Sequence, residues 1–174
     1  MRENLAALFL RECGFDGSQT VVDPMCGSGT FVIEAAEIAM GLAPGRSRSF
    51  AFEQMASFDP EGWAALRAQE TPRATRARCF GSDRNAGAVE MTAANAERAG
   101  VADLVQITQQ AVSELTPPDL GPNETPGLVI VNPPYGARIG NKKLLYALYA
   151  ALGGTLMARF RGWRVGIVTS ATSL

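Results

Sequence analysis

Two short apolar runs, each ending in a motif that cannot continue as a strand, restrict the fold more than any other feature of this chain. Val21-Val22 leads into Asp23-Pro24-Met25-Cys26-Gly27-Ser28-Gly29-Thr30, and Leu128-Val129-Ile130-Val131 leads into Asn132-Pro133-Pro134-Tyr135. Unbroken apolar runs of this length mark strands covered on both faces, the pattern of a parallel sheet packed between helices. In an open parallel sheet the carboxyl ends of neighbouring strands meet at one crevice, so these two distant motifs are expected to face each other there.

The rest of the chain fits that frame. The spacing predicts a leading helix over about 4–12 with Leu5, Leu8 and Phe9 on one face, further helices near 29–40, 85–99 and 142–160, and strands near 20–23, 78–83, 104–108, 127–131 and 164–169. Gly100 is placed to cap the third of these helices. The expected class is therefore α/β, doubly wound and Rossmann-like, with one domain over 1–174 and an insertion at about 41–77. At this length, with 47% hydrophobic residues, the chain can bury about two thirds of its unfolded surface.

Each motif has its own chemistry. Gly27-Ser28-Gly29 lacks side chains where backbone amides must approach a ligand, and the segment from Thr30 opens a helix whose N-terminus points at it. The strand before it ends in Asp23, whose carboxylate suits a cation such as the amino end of S-adenosylmethionine. A nicotinamide site would more usually carry a third small residue where Val32 stands. A second acid, Asp83, ends the run Arg78-Cys79-Phe80-Gly81-Ser82 just before a helix. It is suited to hold the two hydroxyls of a ribose, or else to cap that helix, and it lies far beyond the roughly 20 residues of a simple βαβ unit, which implies the insertion. In Asn-Pro-Pro-Tyr, the Asn132 side-chain oxygen and the Pro133 carbonyl are two acceptors aimed at the hydrogens of an amine with a delocalised lone pair. Consecutive prolines fix the carbonyl direction beforehand. Tyr135 offers a flat face for a base or an amide plane.

These residues resemble a known family. From Arg2 to Ser170 the chain is similar to the catalytic domain of the THUMP-associated ribosomal RNA guanine-N2 methyltransferases, also called UPF0020, in Asp23–Thr30, in Asn132–Gly140 and in the stretch from Gly41 through Phe50-Ala51-Phe52-Glu53-Gln54 to Trp63. The resemblance implies a class I S-adenosylmethionine-dependent fold and methyl transfer to the N2 amine of guanine in RNA, with Asp23, Gly27, Gly29 and Asp83 holding the cofactor. Pro24, Cys26, Ser28 and Thr30 complete its loop. Asn132, Pro133 and Tyr135 would hold the target base, Asn132 also touching the cofactor. The opening Arg2-Glu3-Asn4-Leu5-Ala6 matches the family's helix beside the methionine end. Two departures stand out. Ala111 occupies the place of an acid that receives the adenine amine in many relatives, leaving a backbone group or Gln110 for that task. The chain ends after a fifth strand where such sheets have seven, so the last pair is lacking and an N-terminal RNA-binding module is expected elsewhere in a longer protein.

Exclusions follow from composition. The sequence has no histidine, which removes Ser-His and Cys-His hydrolase mechanisms, and Cys13, Cys26 and Cys79 lack metal-site or disulfide spacing, so no metal is expected. Charged residues interrupt every apolar stretch before it reaches spanning length, which predicts a cytoplasmic protein without a membrane partner. The net charge of −1 makes the domain a weak free-standing polyanion binder. Arg46, Arg48, Arg67, Arg73, Arg76 and Arg78 nevertheless interleave with Phe50, Phe52, Phe58 and Trp63, either as an RNA-facing edge or as a solvated helical excursion whose aromatics pack on the core. The amine clamp alone also serves adenine N6 in DNA or RNA and glutamine N5 in a protein. A cofactor-binding module without activity is the reading from another class.

Overall fold

The computed structural model describes residues 1–69, 71–122, 124–134 and 142–169. Five strands, β1 (Val21–Asp23), β2 (Cys79–Asp83), β3 (Val105–Gln109), β4 (Leu128–Val131) and β5 (Arg164–Ile167), form one sheet in the order β3-β2-β1-β4-β5. Every pairing is parallel, with Val22 opposite Phe80 on one side and Val129 on the other. The helices are α1 (Glu3–Glu12), α2 (Thr30–Met40), α3 (Pro60–Ala68), α4 (Ala86–Ala99) and α5 (Lys142–Arg159).

Strand alternation explains why the sheet is covered twice. Along β1 and β4 successive side chains point to opposite faces, so Val21, Leu128 and Ile130 join Leu10, Phe31, Val32 and Ala35 in one core. Val22, Val129 and Val131 join Leu152, Leu156 and Phe160 in the other. All four β4 residues are fully buried, as an apolar run without alternation requires. Each such side chain contributes roughly 1.5–3 kcal/mol of burial, so the strand that carries Asn132 is held firmly.

The expected strands and helices are present within a residue or two of their predicted ends, and Gly100 caps α4 at φ 72°. Two local expectations need correction. Helix α1 buries Ala6 and Leu10, while Leu5 and Leu8 are 42% and 49% exposed. The inward stripe is set by Ala6, Leu10 and Cys13, and the bulkier leucines lie outside it. The aromatics between α2 and β2 do not pack on the core either. Phe50, Phe52, Phe58 and Trp63 pack on one another, with ring centres 5.1 to 6.0 Å apart, around α3. Helix α3 bears out the helical part of the excursion reading, with bounds the sequence pattern did not mark; Asp59 accepts the Glu61 and Gly62 amides ahead of Pro60, a strong start signal. Between β3 and β4 a single 3-10 turn, Val112–Glu114, replaces a covering helix.

Candidate functional site

The chain runs outward from β1 through β2 to β3 and then returns to the other side of β1 as β4. This reversal of strand order opens a crevice above the carboxyl ends of β1 and β4, where an open α/β sheet binds ligands. Asp23, Asp83 and Asn132 all stand at or just past strand ends on this edge.

Asp23 is 2% exposed and its Oδ1 accepts the Met25 amide at 3.1 Å. Burial pushes its carboxyl up to about 7; the Met25 amide opposes this and the Asp83 charge adds to it. A carboxylate so placed is short of one cationic partner. The loop that follows is fixed from several sides. The Cys26 amide donates to the Ser82 carbonyl at 2.9 Å, Thr92 Oγ1 donates to the Gly27 carbonyl at 2.9 Å, and Asn95 Nδ2 donates to the Ser28 carbonyl at 2.8 Å. Gly27 and Gly29 adopt φ 57° and 84°. A Cβ at Gly29 would lie 2.5 Å from Thr92 Cγ2, whereas one at Gly27 would stand in open space. Gly29 is thus required by packing, and Gly27 leaves room for a ligand.

The remaining predicted residues divide by position. Pro24 is fully buried and shapes the turn through its backbone. Cys26 is buried, its thiol 3.6 Å from Thr92 Oγ1, and burial pushes that thiol up to about 12, so it is a packing group and no nucleophile. Ser28 and Thr30 sit at the loop mouth with their hydroxyls 3.3 Å apart. Asp83 does not cap α4, a task that Asn85 performs. Its Oδ2 accepts the Gly27 amide at 3.1 Å and its Oδ1 the Asn85 amide at 2.9 Å, which ties the end of β2 to the glycine loop. Each oxygen keeps acceptor capacity on the open side.

Asn132 follows directly on β4. Its Oδ1 is buried and receives no hydrogen bond among the described residues. An acceptor stranded in this way costs about 1–3 kcal/mol, and such a cost at the mouth of a crevice is the mark of a group awaiting a donor. Pro133 beside it is buried. Tyr135 lies outside the described residues, as does the rest of the motif to Gly140.

One residue was not legible in the sequence. The 3-10 turn after β3 folds Glu114 back so that its Oε2 accepts the Ala111 amide at 3.3 Å, placing a carboxylate beside the alanine. Gln110 instead lines a cavity of about 440 Å³ together with Ser82, Thr108 and Leu115, beneath the uncovered side of β2 and β3. Among the described residues no group of three or more His, Cys, Asp or Glu is arranged to hold a metal, and no helix is long and apolar enough to cross a membrane.

Comparison with known proteins bears on this geometry. A family model described as UPF0020, RMKL-like, methyltransferase domain matches residues 1–174. Ribosomal RNA large subunit methyltransferase K/L of Vibrio campbellii is 40% identical over 181 residues, and that of Chromohalobacter salexigens 37% over 185 residues. The chain is covered completely in both alignments but spans only 25% of those relatives' length. Among solved structures, a methyltransferase complexed with SAH matches with a TM-score of 0.85 and 33% identity over 95% of this chain and 43% of that one. A predicted N6-adenine-specific DNA methylase from Listeria monocytogenes matches with a TM-score of 0.82 and 29% identity over 99% of this chain and 44% of that one.

Proposed function

The chain belongs to the UPF0020 family of RMKL-like methyltransferase domains, and from that premise we propose that it transfers a methyl group from S-adenosylmethionine to the exocyclic N2 amine of a guanine in ribosomal RNA. The observation that carries the reading is the buried Asn132 Oδ1, without a partner among the described residues, just past the end of β4, the strand next to that of Asp23.

The residues present fit the cofactor. Asp23 offers a buried carboxylate to its ammonium end, the open side of Gly27 admits its backbone, and Asp83 faces its ribose hydroxyls from the end of β2. Strands lie about 4.8 Å apart, so a ligand laid from β1 across β2 brings its base to the end of β3. There Glu114 supplies the acceptor for the adenine amine that Ala111 lacks. Pro24, Cys26, Ser28 and Thr30 serve by fixing the loop. When bound, S-adenosylmethionine supplies an electrophilic methyl group on a sulfonium.

Asn132 Oδ1 and the Pro133 carbonyl accept the two hydrogens of the target amine, hold its nitrogen pyramidal and turn the lone pair toward the methyl group. Both acceptors are fixed before the substrate arrives. Tyr135 stacks on the extruded base. The proton then leaves the methylated, cationic nitrogen without a dedicated base, consistent with a chain that has no histidine. A further module elsewhere in a longer protein grips the RNA, and we place the protein in the cytoplasm.

The 29% identical relative predicted to act on adenine in DNA keeps adenine N6 as the second reading. Mass mapping of nucleosides in ribosomal RNA after incubation with the protein separates the two. N2-methylguanosine is expected, while N6-methyladenine as the sole product would replace the guanine reading.

A further inference from the structure

We propose that the stretch from Gly41 to Ala77 is a second RNA-contact surface, placed at the opposite end of the sheet from the methyl-transfer crevice. The proposal rests on the reading of RNA as substrate and says where, apart from the crevice, this chain holds it.

Packing does not account for the side chains in this stretch. Neither the 3-10 turn Ala51–Gln54 nor α3 buries a single residue, and the aromatic nest belongs to neither core. Phe52, Met55 and Leu66 are 41%, 60% and 55% exposed. A solvated excursion without a partner has no need of four aromatic rings.

The charges point to the partner's chemistry. Arg48 lies over the Phe50 ring at 4.8 Å and Arg67 over the Trp63 ring at 5.7 Å, so cations and ring faces share one surface. Two of the neighbouring carboxylates are engaged by backbone amides, Glu53 accepting from Phe50 and Asp59 from Glu61 and Gly62, while Glu61 stands exposed in the first turn of α3. The ion pairs seen among the described residues are Arg46–Glu37 and Arg78–Glu124. Among the described residues Arg48, Arg67 and Arg76 pair with no carboxylate, Arg67 donating instead to the Arg46 carbonyl. Cations that lack counter-charges, set among partly exposed rings, match a partner with phosphates and flat bases, which is single-stranded or looped RNA.

Anchorage fixes the location. The chain leaves α2 at Met40 and re-enters the sheet at Cys79, both at the amino end of the strands. Arg46 ties the stretch to Glu37 at 2.7 Å and to the Ala99 carbonyl at 2.6 Å, and the Arg73 amide donates to the Met40 carbonyl at 2.7 Å. Helix α2, with 11 residues, separates this end from the glycine loop by about 16 Å. Between them runs a groove in which the carboxyl groups of Glu3, Glu34, Glu37 and Glu97 outnumber the guanidinium groups of Arg46 and Arg98. RNA reaches both ends only when it is long enough to bridge that acidic gap.

The test is a filter-binding titration of the full chain at two salt concentrations, with a long ribosomal RNA fragment and with a short oligonucleotide around the target guanine. The triple variant Arg48→Ala, Arg67→Ala, Arg76→Ala is expected to weaken long-RNA binding at least tenfold. Its plot of log K against log salt should be shallower by about two units, as three lost phosphate contacts require. Short-oligonucleotide binding and S-adenosylmethionine affinity should stay at the parent value, which shows that the fold is intact. The corresponding triple lysine variant should keep the parent slope, because charge and not local packing sets it. A triple alanine variant with parental long-RNA affinity and slope would overturn this proposal alone, and would leave the surface to a protein partner. A parent chain that holds no long RNA at either salt, while binding S-adenosylmethionine, would also overturn this proposal, whereas the RNA reading itself stands or falls with the mass mapping of methylated nucleosides.

Discussion

Asn132→Ala separates catalysis from folding in a way that follows from a single atom. Asn132 Oδ1 is buried and accepts no hydrogen bond among the described residues, so its removal breaks no bond described in the folded protein. Relief of a stranded acceptor, about 1–3 kcal/mol, offsets the packing lost on truncation, and the melting temperature is expected to stay level or rise slightly. Transfer, however, loses one of two acceptors on the reacting amine. By comparison with a missing oxyanion-hole donor this costs on the order of 3 kcal/mol, or about a hundredfold in rate. Affinity for S-adenosylmethionine should change little. Single-turnover transfer to RNA, calorimetric titration of the cofactor and a thermal melt give the three readings. Near-normal turnover would remove the clamp from the mechanism. A large fall in melting temperature would mean that the oxygen has a structural partner and that its isolation was misread.

Asp83→Ala should weaken S-adenosylmethionine binding by roughly 1.5–3 kcal/mol, measured by calorimetry, through lost charge-assisted hydrogen bonds to the ribose and release of the Gly27 amide. Gly29→Ala should destabilise the fold by more than about 1 kcal/mol in urea melts, because φ is 84° and the new Cβ meets Thr92 Cγ2 at 2.5 Å. Gly27→Ala, with open space around its Cβ, should instead lower cofactor affinity more than stability. Glu114→Ala should abolish the preference for S-adenosylhomocysteine over its inosine analogue, since the acceptor for the adenine amine is lost; Ala111→Asp in that background should restore it. Asp23 supplies the pH signature. Burial holds its folded pKa at about 7, above the ordinary carboxylate value of 3.8, so its contribution to stability without ligand is full below 3.8 and is lost as pH rises through about 7. A cationic ligand needs the ionised form, so cofactor affinity should rise about tenfold from pH 6 to pH 8, with uptake at pH 6 releasing close to one proton. Calorimetry in buffers of different ionisation enthalpy reads that proton, and a pH-independent affinity would detach Asp23 from the ammonium.

What was legible in the sequence is what local pattern alone decides. The strands were readable because Val21-Val22 and Leu128–Val131 need burial on both sides, and α4 because its Asn85 start and Gly100 stop are local signals. The bounds of helix α3 escaped because none of its residues is buried, so no apolar period marks them, and only the Asp59-Pro60 cap gave the start away. The inward face of α1 was misjudged because hydrophobicity favours Leu5 and Leu8, whereas the sheet admits the stripe of Ala6 and Leu10. At the site, residue identities were readable but their states were not. That burial pushes the Asp23 carboxyl up to about 7, that Asn132 Oδ1 has no partner among the described residues and that Glu114 turns back toward Ala111 are products of tertiary placement. The aromatics of the 41–77 stretch show the same limit, since composition alone could not separate a nest of their own from a place in the main core.

The two halves of the crevice differ in a way that assigns them different tasks. The glycine loop is fixed before any ligand arrives, through Ser82 and Asp83 at the end of β2 and through Thr92 and Asn95 on α4. The Cys26, Gly27 and Gly29 amides and the Cys26, Gly27 and Ser28 carbonyls are therefore engaged within the fold, so the half proposed to receive the methyl donor is held in place. The acceptor half carries an oxygen without a partner among the described residues, just past a fully buried strand, and in the proposed reading a substrate amine completes it. Substitutions around the loop should thus act through stability and cofactor affinity together, because the same bonds serve both. Substitutions at Asn132 should act on rate alone, and which amine is methylated is decided by what fits against Asn132 and Pro133, not by how the donor is held.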